Sequence, residues 1–508
     1  MKKIIYSLLL FVMVQSAWAQ SSYDVMRFAD SDLSGTARFV GMGGAMSALG
    51  ADISVISTNP AGIGLYRTND AVATVGLHTV ENKSNFLGCA SKDNKTSVAF
   101  DNVGFVFSTR HGDNVKYVNF AFNYRHRNSF YNNMEIAGSL TDGNNNYFSQ
   151  QYGLYQLYDI SGDYQGYDDY YSLQYPWLGL LTSTSGLIDN EGSLAYVPEG
   201  SSGYFPTDMH YRSKEKGGVD DVDINISCNI DDMFYLGLTL TASNVDYTRT
   251  SEYTEHCDLY NYYTIQNRYN VSGNGFGVKL GAIMRPFEYS PFKMGFAIHS
   301  PIWYGLTDRT SATFFGTEDD NIWDTRDYDA YGEELFVDYD YTTPWRFNLS
   351  ASYTFDTFAA INAEYELVDY STASLEYTDG FEMDDLNSDI EANMQAQHIF
   401  RVGALFNLSD ELSLRCGYNY VSAPYKKDAA KVMFKMQDTS TEYMNLYETN
   451  IYTLGIGYAG SSFYFDVAYK LAMQKADFYN YYDAEFVNPS AEVDITRQSL
   501  LMSLGFRF

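Results

Sequence analysis

Few residues in this chain are spaced for chemistry. Five cations, Lys279, Arg346, Arg401, Arg415 and Lys470, fall on the polar side of segments in which polar and apolar residues alternate. A cation held among apolar neighbours pairs with a carboxylate, either a ligand's or one of the chain's own. Arg401 and Arg415 occupy adjacent segments and are the candidates for pairing a ligand carboxylate. Glu364 and Glu366, on the polar side of a neighbouring segment, are the competing partners. Other chemistries find no support. Gly41-Met42-Gly43-Gly44-Ala45 is not the Gly-x-Gly-x-x-Gly that follows a strand in a nucleotide-binding unit. The seven histidines are scattered, without His-Glu-x-x-His, and no Ser/His/Asp order is recognisable, so no enzyme is expected. Cys89, Cys228, Cys257 and Cys416 have no Cys-x-x-Cys spacing. His256 and Cys257 are the one adjacent pair of soft ligands, and neither a metal nor a cofactor is expected.

The elements that would position the cations are strands. The 508 residues include 47 Tyr and 33 Phe, an aromatic share of 17%. Amphipathic rings in that number suit the two interfacial girdles of a membrane barrel. Net charge is −31, which excludes nucleic acid as a partner, since that needs a basic footprint. Residues 1–19 carry Lys2 and Lys3, an apolar core over Ile4–Val14 and the small-residue pattern Ala17-Trp18-Ala19, the form of a cleavable signal peptide. Beyond it there is no apolar run of the roughly 18 residues a transmembrane helix needs, so any membrane span must be made of strands.

Alternation of period two recurs from about Asp70 onward. In Trp345–Phe355 the odd positions are apolar or aromatic, and Arg346, Asn348, Ser350 and Ser352 lie between them. At the C-terminus Leu500, Met502, Leu504, Phe506 and Phe508 share one face, with Leu501 the exception. Short connections such as His111–Asn114 alternate with long ones, the largest being 132–217. This predicts an all-β fold, a 14-stranded antiparallel transmembrane β-barrel over 69–508. One strand breaks phase: Val98 and Phe100 are even, whereas Val103, Phe105 and Phe107 are odd. The spacing predicts a β-bulge, a wall irregularity, at Asp101–Asn102. Residues 20–68 are rich in Gly, Ala and Ser and poor in aromatics, and read as a short, partly helical hatch plugging the lumen. In the long loop, Tyr175, Trp177, Leu178, Leu180 and Leu181 form an apolar stretch, a candidate for extracellular capture of a greasy ligand.

The run Gly35-x-Ala37-Arg38, Gly41-x-Gly43-Gly44-Ala45, Gly50-Ala51-Asp52 and Asn59-Pro60-Ala61-Gly62 resembles the N-terminal hatch of the FadL/TodX family of outer-membrane transporters. Asn274-Gly275-Phe276-Gly277, Phe400-Arg401-Val402-Gly403, Leu414-Arg415-Cys416-Gly417 and Ser422-Ala423-Pro424 are similar to its barrel patterns. The resemblance implies a monomeric barrel in the bacterial outer membrane, in contact with lipid and lipopolysaccharide. It implies passive uptake of long-chain fatty acids or aromatic hydrocarbons. Ligand would be captured outside, held in the lumen and released through a side opening. Asn59, Pro60, Ala61 and Gly62 would then be the gate, near the irregular wall. Hemin is the alternative ligand, and a secretion-complex component or adhesin the alternative role.

Overall fold

The computed structural model describes residues 22–141, 148–151, 153–154, 177–185, 187, 207–256, 262–316, 322–324, 326, 334–431, 439–483 and 488–508. The signal peptide expected over 1–19 lies outside them. Fourteen antiparallel wall strands close on themselves. They are β1 (Asp70–Phe86), β2 (Cys89–Arg110), β3 (Val115–Ser129, continued by Asn132–Ser139), β4 (Asp208–Ile230), β5 (Phe234–His256) and β6 (Tyr262–Met284). Next come β7 (Lys293–His299 and Trp303–Gly316), β8 (Leu335–Thr342 and Arg346–Phe355) and β9 (Ala359–Asp369 and Ser374–Tyr377). The wall ends with β10 (Ala396–Asn407), β11 (Leu412–Val421), β12 (Tyr443–Ala459), β13 (Phe463–Tyr479) and β14 (Ala491–Arg507). Pairing of β1 with β14, from Asp70↔Arg507 to Asn85↔Glu492, closes the cylinder and removes any free sheet edge at the seam.

The period-two alternation becomes an outside and an inside. Phe347, Leu349 and Phe355 are exposed, while Asn348, Ser350 and Ser352 between them are buried in the lumen. Leu501, which broke the C-terminal pattern, points inward and packs beneath the N-terminal segment. The strands outrun the apolar alternation. Residues 81–96 are too polar to read as a membrane span, yet β1 and β2 continue to the pair Phe86↔Cys89 across a two-residue turn. Leu87 (φ 47°) and Gly88 (φ 89°) both have the positive φ such a turn requires. Above the bilayer a hairpin needs no apolar face.

Residues 22–66 fill the lumen. Helix α1 (Ser22–Ala29), helix α2 (Ala37–Gly41) and two 3-10 turns, Ile53–Ser57 and Pro60–Leu65, follow one another. The polar residues between their small neighbours are caps: Thr36 accepts from Phe39 N, Asp52 from Ser54 N and Asn59 from Ala61 N. Phe39, Val40, Met46, Ile53 and Ile56 form a core with Val72, Val106 and Leu501 of the wall. Each large side chain so buried contributes about 1.5–3 kcal/mol, and each of the segment's hydrogen bonds about 0.5–1.5 kcal/mol.

Candidate functional site

At four places the backbone of the N-terminal segment lies directly on a glycine of the wall. A Cβ at Gly403 would collide with Met42 O, and one at Gly417 with Gly43 N. These are the glycines that follow Arg401-Val402 and Arg415-Cys416 in the two similar strand motifs. Gly237 and Gly281 do the same for Asn59-Pro60-Ala61: a Cβ at either would overlap that backbone or the Asn59 carboxamide. Asn59 is fully buried and also donates to Ala282 O at 3.3 Å. Asn225 donates to Pro60 O at 3.3 Å, and Asn119 to Ile63 O at 2.7 Å. Asn59–Gly62 therefore docks on β4–β6. Further back, Thr36 Oγ1 donates to both Asp52 oxygens, at 2.8 and 2.9 Å. Burial pushes the Asp52 carboxyl up from its ordinary value, against the pull of Arg38.

The wall irregularity is a bulge at Asp101. Thr74 pairs with Asn102 and Val75 with Phe100, so Asp101 is the surplus residue. There β2 leaves β3. Their ladder runs from Arg110↔Tyr117 up to Asn102↔Arg125 and stops, although β2 continues to Cys89 along β1. A second bulge lies on the facing margin. Between β3 and β4 the register jumps from His126↔Asp220 to Asn128↔Val219, leaving Arg127 surplus. The run Arg125-His126-Arg127 carries no hydropathy phase, which is why alternation missed it. Above Asn102 no ladder hydrogen bonds join the two strands, which defines an unpaired slot in the wall. It lies at the level of the exposed apolar residues Val98 and Phe100, above Phe105, Phe107, Phe120 and Phe122. The N-terminal segment reaches this margin through Ile53, which fits against Gly104. Asn59–Gly62, by contrast, rests on β4–β6, farther around the barrel.

Both surplus residues are charged and turned inward. Asp101 is 1% exposed and lies 3.0 Å from His78 Nε2, while His78 Nδ1 lies 2.9 Å from Ser499 Oγ. This Ser–His–Asp row braces β14, β1 and β2 across the wall, and neither Ser499 nor His78 lines the lumen cavity. Asn102 donates to Asn123 Oδ1 at 2.6 Å. Arg127 donates to Phe28 O of α1 at 2.8 Å and to Tyr304 Oη at 2.7 Å.

A cavity of about 330 Å³ lies in the lumen. One side is α1 and the residues after it, from Tyr23 to Leu33; another is β3 from Arg125 to Asn132, the strand that borders the slot. The lining mixes apolar Val80, Met134, Leu446 and Ile495 with several arginines. Each of the five cations read from alternation has a carboxylate of the chain as partner. Arg401 meets Glu364 at 2.9 Å and Glu366 at 2.8 Å, and Arg415 meets Asp466 at 2.5 Å. Lys279 pairs with Asp223, Arg346 with Glu366 and Lys470 with Asp32. Arg249 and Arg497, which alternation did not single out, also line the cavity and donate to neutral groups, Ser440 Oγ at 3.1 Å and Gln474 Oε1 at 3.0 Å. Among the described residues no cluster of metal-ligating side chains is found.

The apolar stretch of the long loop is partly visible. Leu178 and Leu181 are buried in helix α3 (Trp177–Thr184), which packs against β7. Tyr175 and the side chains of Trp177 and Leu180 lie outside the described residues.

The fourteen-stranded barrel has solved counterparts. Across 94% of its length the chain superposes on all of a FadL homologue from Pseudomonas aeruginosa, with a TM-score of 0.53 and 11% identity. It matches 99% of the toluene transporter TodX of Pseudomonas putida, with a TM-score of 0.51 and 11% identity. The CymD monoaromatic hydrocarbon channel gives 0.50 at 10% identity. The chain thus has the fold of FadL and TodX. No family model matches the sequence, and no curated protein does.

Proposed function

We propose that this chain is an outer-membrane channel of the FadL/TodX kind, passing hydrophobic small molecules inward without energy coupling. The observation that carries the reading is the break in the β2–β3 ladder above Asn102, where β3 from Arg125 lines the cavity and Val98 and Phe100 of β2 are exposed in the apolar belt. Lipopolysaccharide is a poor solvent for greasy molecules, and so is a water-filled pore. A lumen pocket that empties sideways into the bilayer avoids both. The hatch residues Ile53–Gly62 close the periplasmic route, and Ile53, seated at Gly104, turns the ligand toward the slot. Long-chain fatty acids and aromatic hydrocarbons fit a cavity that mixes Val80, Met134, Leu446 and Ile495 with tyrosines. A ligand carboxylate would find Arg401 and Arg415 already paired, so Arg249 and Arg497 are the better partners for it.

The test is uptake of a fluorescent long-chain fatty acid into proteoliposomes, together with native mass spectrometry of the purified protein. Uptake above protein-free vesicles and a co-purified hydrophobic ligand are expected. Absence of both would overturn the reading. Unchanged hydrocarbon uptake in a deletion strain, with stable co-purification of partner proteins, would favour a secretion or adhesion role instead.

A further inference from the structure

The hairpin of β1 and β2 must hold one surplus residue, but its backbone does not say where. The turn at Leu87–Gly88 sets the upper register at Phe86↔Cys89, and the lower register, Asp70↔Val106, is offset by one. A bulge anywhere between would reconcile the two. Its position matters, because the β2–β3 ladder ends one residue below it, at Asn102↔Arg125. Side chains must therefore decide where the wall opens.

We propose that Asp101 is the positioning residue that fixes the slot, acting with His78 and Ser499 as a brace; the inference rests on the side-exit reading above. Above the bulge odd residues face the lumen, and below it even residues do, as the buried pair Asn102 and Val106 shows. If the surplus residue slid toward the extracellular turn, Asp101 would join the lower phase and point outward. A carboxylate would then sit in the apolar belt on the face of Phe105 and Phe107, where lipid offers it no partner. In the observed position it faces His78 at 3.0 and 3.2 Å, and His78 is held by Ser499 at 2.9 Å. Room for it comes from Gly76 on β1, where a Cβ would overlap the Asp101 carboxylate and crowd His78 Nε2. An apolar residue at 101 would lose the brace and the penalty together. The bulge could then climb to Phe100, whose ring can turn into the apolar-lined lumen at less cost than a carboxylate in lipid, β2 could pair further along β3, and the slot would narrow.

The experiment combines hydrogen exchange with transport on the intact protein in detergent and in proteoliposomes. In the parent, the β3-facing amides of Ser97–Asp101 have no ladder partner and are expected to exchange fast. Asp101→Leu is expected to slow them and to abolish uptake, while a lumen ligand still binds. Asp101→Asn, which keeps the polar penalty and a hydrogen bond, is expected to behave like the parent. If Asp101→Leu does not insert, Asp101→Ala, which also removes both the brace and the carboxylate but adds no bulk, is expected to give the same slowed exchange. Unchanged exchange in the folded variants would overturn the brace whatever transport does. A parent that takes up nothing would overturn the side-exit reading and leave the exchange comparison to judge the brace.

Discussion

Arg401 shows how a single side chain separates two roles. Its guanidinium is shared by Glu364 and Glu366, each about 4% exposed. Removing one partner of a buried ion pair costs about 3–5 kcal/mol because the other charge is left unpaired. Arg401→Met is therefore expected to lower the denaturant midpoint, read by the heat-modifiable shift on gels. Adding Glu364→Gln, which removes the carboxylate left unpaired while Glu366 keeps Arg346, is expected to restore much of it. A variant that kept its midpoint and lost only fatty-acid affinity would instead assign Arg401 to the ligand. Arg249 carries the opposite expectation. Arg249→Gln is expected to weaken binding of a fatty acid relative to the matched alcohol, by calorimetry, with the midpoint little changed. Asn59→Ala removes the cap on Ala61 N and the bond to Ala282 O. A cost of about 0.5–2 kcal/mol is expected, visible as faster proteolysis of the N-terminal segment.

At the scale of elements, the slot is a property of two strands. Deleting Asp101 removes the surplus residue outright, so the β1–β2 hairpin would run with one register from turn to base. The barrel is expected to fold and to lose uptake; a deletion variant transporting at the parent's rate would remove the slot from the mechanism. Helix α1 is the other element that bounds the cavity. It fills the lumen beneath α4 (Asp384–Asn393), with Tyr341 donating to Val25 O at 2.7 Å and Arg127 to Phe28 O. Removing Ser22–Ala29 leaves the strands paired and opens the space they enclose. The expected result is a step of ion conductance in planar bilayers that the full chain lacks.

For the whole molecule, alternation was enough to number the wall. Each of the fourteen strands lies where a period-two segment was read, because a barrel in lipid must turn one face of every strand outward, and that demand is written locally. The bulge at Asp101 was legible for the same reason: Val98, Phe100, Phe105 and Phe107 had to reach lipid on both sides of it. The composition of residues 20–68 marked them as a different element, and the glycines that receive it, Gly403, Gly417, Gly237 and Gly281, make close approach possible. What sequence could not decide was pairing across distance. That Arg401 serves Glu364 and Glu366, that Asp101 meets His78 and Ser499, and that Arg127 reaches Phe28 O depends on which strands stand side by side and at what stagger. So does the seat of Asn59–Gly62 on β4–β6 and of Ile53 beside the bulged strand. Lumen-facing residues answer to partners on other elements, from tens to hundreds of positions away, whereas lipid-facing residues answer only to the bilayer. For that reason the outside of this barrel could be read from the chain alone, and its inside was decided by the tertiary structure.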